Sequence, residues 1–128
     1  MANKDDFAAT FLRLKAILEP YAAKLVVAAD TKNYYALETH HVMKNKHLLY
    51  FAGVKSGKAY VSYYLMPVYA RPELMKSMSP ELKKRMQGKA CFNFKTVDEK
   101  LFKELAKLTK AGAVAFKAPK FLRMLVSI

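Results

Sequence analysis

At 128 residues the chain can enclose one hydrophobic core and is too short for two ordinary domains. With 53% hydrophobic and 26% charged residues it has enough apolar surface to exclude whole-chain disorder, and its single cysteine, Cys91, excludes an internal disulfide. The net charge of +13, divided as +4 over residues 1–64 and +9 over residues 65–128, favours anionic partners such as nucleic acid, acidic headgroups or phosphorylated metabolites.

The opening Met1-Ala-Asn-Lys-Asp-Asp is not a basic segment leading into an apolar run, so no signal peptide is expected. The longest apolar stretches are broken by Lys24 or Asp30 and fall short of a bilayer span. These features predict a cytoplasmic protein with no transmembrane segment.

Between residue 5 and about residue 29, Phe7, Phe11, Leu14, Leu18, Tyr21 and Leu25 recur in steps of four and three, which predicts an amphipathic helix. Pro20 removes a hydrogen bond inside it and predicts a kink or break near Glu19. The period then changes. Residues 34–39, 48–54 and 59–66 are rich in aromatic and β-branched side chains and read as three strands.

A two-residue Ser56-Gly57 turn would make the last two strands a tight hairpin, with Lys55 opposite Lys58, Phe51 opposite Ser62 and Leu49 opposite Tyr64. That register puts Leu48, Tyr50, Ala52, Val54, Val61, Tyr63 and Leu65 on one face, read as the core, and leaves Leu49, Phe51, Lys55, Lys58, Tyr60, Ser62 and Tyr64 on the other. Pro67 ends the strand. Ser79-Pro80-Glu81 starts a short helix over residues 80–86 with Gly88 as its stop; a strand over 91–95 and a helix over 97–111, burying Leu101, Leu105 and Leu108, complete the order.

The predicted fold is a single α+β domain over residues 1–128, a two-layer sandwich with a four-stranded, mainly antiparallel sheet and two long helices packed on one face. Residues 1–4 and 119–128 are read as terminal segments.

The segments Lys58-Ala-Tyr-Val-Ser-Tyr-Tyr-Leu-Met-Pro-Val-Tyr69 and Met86-Gln-Gly-Lys-Ala-Cys-Phe-Asn-Phe-Lys95 resemble the YdhG-like family of uncharacterised bacterial domains, over about residues 20–118. The resemblance implies a compact frataxin-like α+β sandwich and no established reaction. Iron handling in frataxins rests on acidic residues along the first helix and sheet edge. Here Asp5, Asp6, Glu19 and Asp30 are scattered among Arg13, Lys15 and Lys24, and a hard cation needs converging oxygen ligands, so no metal residue is assigned.

Lys83, Lys84, Arg85 and Lys89 form the densest basic cluster; with Lys95 they read as an anion site, Arg85 offering a planar fork to phosphate or carboxylate. The alternative is a solvated helix end whose cations complement the dipole. Phe51, Tyr60 and Tyr64 on the open face, near Lys55 and Lys58, offer stacking surfaces beside positive charge, or the contact surface of a homodimer.

Lys58 to Tyr63 also partly matches the aromatic strand of RNA-recognition motifs, although three consecutive strands do not fit that fold's order. A small-molecule-binding protein or weak enzyme, with a pocket formed by Tyr60, Tyr64, Tyr69, Arg85 and Asn93, is a second reading, and membrane-surface attachment through the basic, apolar tail over 117–128 a third. Glu38, His40, His41 and His47 lack zinc-finger spacing and read as surface or strand-end groups. Cys91 has no local base and reads as a small hydrophobe. The leading expectation is a non-enzymatic binding module for an anionic or aromatic partner, nucleic acid included, with no catalytic residue and no cofactor.

Overall fold

The computed structural model describes residues 4–42, 46–70, 72–88 and 90–116. Helix α1 (Lys4–Leu18) buries Phe11, Leu14 and Leu18, as the four-three spacing requires. It stops before Pro20. The chain continues as a 3-10 turn (Glu19–Lys24), and Val26-Val27, a β-branched pair, opens strand β1 (Val26–Asp30) where the periodicity predicts helix.

Strands β2 (Tyr34–Val42), β3 (Leu48–Ser56) and β4 (Val61–Leu65) follow, and β5 (Met86–Gln87) and β6 (Cys91–Phe94) complete one antiparallel sheet in the order β1-β2-β3-β4-β6-β5. Among the described residues four α-helices accompany it: α1, α2 (Met66–Ala70), α3 (Pro80–Lys83) and the long C-terminal α4 (Glu99–Phe116). This corrects the expected four-stranded sheet with two long helices. The first helix is shorter than its spacing predicts because the rest of that segment forms the 3-10 turn and β1, and the expected helix over 80–86 stops at Lys83, its last residue Met86 opening the edge strand β5.

Two local features set the register. The β3–β4 connection is a four-residue loop closed by the Gly57 N–H to the Tyr60 carbonyl at 2.9 Å, so Lys55 pairs with Ser62 and Val54 with Tyr63. The tight Ser56-Gly57 turn, and with it the pairing of Phe51 with Ser62, is corrected by four positions. Four is even, so the faces of β4 survive the shift: Val61, Tyr63 and Leu65 are buried.

The second feature is a bulge. Leu37 pairs with Ala52 but Glu38 with Tyr50, leaving Phe51 as an extra residue in β3. Strand alternation changes phase there. Leu49 and Phe51 therefore turn into the core alongside Ala52 and Val54, and Tyr50 turns outward. A second register shift, at Ala28 in β1, bulges that edge strand.

Helices α1 and α4 cover the same face. Phe102 of α4 meets Phe94 edge-on at 5.0 Å between centroids, and Phe116 meets Phe51 at 5.9 Å. Gly112 lets α4 approach α2: a Cβ there would lie 2.8 Å from the Cβ of Pro67. Tyr63, fully buried, reaches Thr109 at 2.5 Å. The Thr109 hydroxyl spends its own proton on the Leu105 carbonyl at 2.7 Å, so Tyr63 is the donor of that pair. Burial pushes the Tyr63 phenol well above its usual pKa. Leu101 and Leu105 are buried with Phe92 and Phe94, as the leucine spacing predicts.

Candidate anion-binding cleft

The short helix α3 is capped by the Ser79 hydroxyl, which accepts the Leu82 N–H at 3.2 Å. Because α3 is only four residues long, Arg85 leaves it already running along the sheet, and its carbonyl accepts the Asn93 N–H at 2.8 Å. Gly88, at φ 77°, turns β5 back into β6. This tight edge brings Lys84, Arg85, Met86 and Gln87 against Asn93, Lys95 and Tyr60 around a cleft of about 360 Å³.

The hydrogen bonds behind the cleft all run one way. Asn93 Oδ1 accepts from Ser62 Oγ at 2.7 Å and from Cys91 Sγ at 3.4 Å. The Asn93 amide nitrogen then donates to Gln87 Oε1 at 2.7 Å, which also accepts from the Tyr60 hydroxyl at 3.3 Å. With its oxygen doubly occupied, Gln87 presents only its amide N–H groups outward. Exposed Lys84, Arg85 and Lys95 complete a cleft lined by donors and positive charge. Among the described residues no carboxylate lines it. Glu81 and Asp98 lie in the neighbouring depression that shares Lys84 and Arg85, and the ion pairs Arg13–Glu99 and Lys15–Asp30 involve neither cation.

Of the residues singled out in the sequence, the cleft collects Tyr60, Lys84, Arg85, Asn93 and Lys95. Lys83, on α3, is exposed and not part of its lining, and Lys58 is exposed in the β3–β4 loop. Tyr69 is exposed on α2 and is not part of the lining of this cleft. Tyr64 stands on β4 one row away, paired with Cys91. Phe51 is in the core, so of the open-face residues that motivate a homodimer Tyr60 and Tyr64 remain and Leu49 and Phe51 do not. Lys89 and the tail over 117–128 lie outside the described residues.

Sequence reasoning misses Gln87. The signal that could have found it is its place beside the basic cluster, two strand positions from the alternating Cys91 and Asn93. It also misses the larger groove of about 690 Å³ between Phe7, Phe11 and Leu12 of α1 and the two hairpin turns. Those turns are tied by the Ser56 N–H to the Asn33 carbonyl at 2.8 Å, and Lys15 bridges to Asp30 at 3.0 Å while lying over the Tyr35 ring.

Among the described residues the open sheet face carries no activated nucleophile. Burial pushes the Cys91 thiol up, and Ser62 donates to an amide rather than a base. Among the same residues no three His, Cys, Asp or Glu side chains converge as metal ligands, and no helix is long and apolar enough to cross a membrane. No protein-family model, curated protein or solved structure matches the chain.

Proposed function

We propose that the protein is a non-enzymatic binding module that holds an anionic group, phosphate or carboxylate, in the cleft between β4, β6 and β5. The observation that carries this reading is the one-way relay from Ser62 through Asn93 to Gln87, which leaves only donors facing a site already flanked by three cations. Aligned hydrogen bonds polarise one another and strengthen the last donor. Arg85 supplies the planar fork that fits two anion oxygens, and Lys84 and Lys95 supply charge. Membership of the YdhG-like family is proposed on the same two segments that carry the resemblance.

Calorimetric titration with inorganic pyrophosphate tests the reading. Arg85→Ala is expected to weaken binding at least about tenfold, the scale of a lost charge-assisted hydrogen bond, and Arg85→Lys to recover only part of it. Gln87→Glu, which replaces the donor by a carboxylate at the same position, is expected to abolish binding. Equal affinity of the wild type and Arg85→Ala overturns the proposal.

A further inference from the structure

The cleft stands at one end of a cross-strand row. Register pairs Tyr34 with Lys55, Lys55 with Ser62, and Ser62 with Asn93, and the Asn93 N–H reaches the Arg85 carbonyl. All of these side chains lie on the face away from the helices, opposite buried Tyr35, Val54 and Tyr63. The parallel row behind it runs Ala36, Gly53, Tyr64, Cys91 and Gln87. Tyr50 reaches across Gly53 in that row, and a Cβ on Gly53 would collide with the Tyr50 hydroxyl oxygen. The absent side chain is what admits the ring. Tyr34 lies near enough to influence the Tyr50 phenol, and it remains 37% exposed.

From β2 to the edge the sheet thus presents aromatic rings at Tyr34, Tyr50, Tyr64 and Tyr60, with Lys55 among them and the donor cleft at the end. Five strands at the usual spacing give a track of about 19 Å. Among the described residues the carboxylate on this face is Glu38, which pairs with Tyr50 on the flank away from Lys55 and the cleft.

Resting on the anion-cleft reading, we infer that this face, across the two rows, binds single-stranded nucleic acid, with a phosphate in the cleft at Arg85 and the following bases stacked on Tyr64 and Tyr34. Rings alone would equally suit a second copy of the chain. What selects nucleic acid is that positive charge occurs along the row and at its end, on a protein of net charge +13, so two copies face to face would bring like charges together. A strand of phosphates and flat bases complements both features. The occupied length is on the order of four nucleotides, the lower end for such platforms.

The test separates bases from phosphates. Fluorescence anisotropy is measured with a labelled oligothymidylate of about a dozen nucleotides and with an abasic deoxyribose-phosphate oligomer of the same length. The thymidylate is expected to bind more tightly, with an affinity that falls as salt rises. Tyr64→Ala and, separately, the exposed Tyr34→Ala should each weaken it at least about fivefold without altering abasic binding. Tyr64→Phe should restore it, and Arg85→Ala should weaken both oligomers.

If both oligomers bind equally, or if the tyrosine variants match the wild type while their circular dichroism shows them folded, the track is overturned and the anion cleft stands. If neither oligomer binds but pyrophosphate does, the track is likewise overturned and the cleft again stands. Failure of all three probes removes both proposals. Sedimentation showing a dimer that Tyr64→Ala converts to monomer, with no oligomer bound, assigns the face to a second copy and overturns the inference.

Discussion

Tyr63 and Tyr64 are consecutive residues of β4, yet their phenols end in opposite settings. Tyr63 points under α4, has no exposed surface and donates its one proton to Thr109. Tyr64 points away from the helices, remains partly exposed and sits over Cys91 and Ser62. One face of the sheet is closed by helices and tolerates a polar group only where an acceptor has been placed for it. The other is roofed by its own long side chains, Tyr50 above all, and needs no second layer to hide Ala36, Gly53 and Ser62.

The largest expected effect lies on the helical side. Phe92→Ala empties a fully buried site and should cost about 3–5 kcal/mol in urea unfolding. Tyr64→Ala should cost clearly less; equal losses would mean that the outer face is sealed as tightly as the inner one. Next comes Gly53→Ala, whose new Cβ collides with the Tyr50 ring and approaches the Tyr35 carbonyl to 2.9 Å, for a cost of about 1–3 kcal/mol. The same variant should return the Tyr50 phenol, now held well above its usual pKa mainly by burial, toward 10.0, which ultraviolet titration of tyrosinate reads directly. An unchanged Tyr50 titration would remove the self-roofed description.

Tyr63→Phe sharpens the contrast by removing only the donor. The Thr109 proton stays satisfied by Leu105, so the loss should be about 0.5–1.5 kcal/mol at neutral pH. Above pH 10 the difference between wild type and variant should shrink. The folded phenol holds its proton more strongly than the unfolded one, so its stabilising contribution is complete below pH 10 and is lost as the pH rises further. Denaturant midpoints of the two proteins as a function of pH check the sign. The smallest expected effect is Arg85→Ala, within about 0.5 kcal/mol, because the side chain is exposed and its removal leaves no buried group unpaired.

What is legible in the sequence follows the same division. Helical spacing locates Phe11, Leu14, Leu18, Leu101 and Leu105 because burial on one side of a helix leaves a three-and-four pattern. Alternation locates Val61, Tyr63 and Leu65 for the equivalent reason in a strand. It fails at Phe51, where one bulged residue inverts the alternation, and no composition signal distinguishes Tyr50-Phe51-Ala52 from an uninterrupted strand. The β3–β4 loop defeats the reading because Ser-Gly suits a two-residue turn and the chain uses four residues there. The cleft is half legible. A run of cations is visible in any sequence, but the pairing of β5 with β6, two residues against four, is decided by tertiary contact and too short to leave a period.

The same brevity has a consequence for solution behaviour. Among the described residues the sheet ends in β1 on one side, bulged at Ala28, and on the other in β5, which offers two residues before Gly88 leaves the extended conformation. A neighbouring chain seeking free backbone groups finds a broken ladder at the first edge and almost none at the second, where adjoining Lys84 and Arg85 also repel another copy. Edge-to-edge growth into cross-β fibrils is therefore blocked at both ends of the sheet, in a chain whose aromatic, β-branched strands would otherwise invite it.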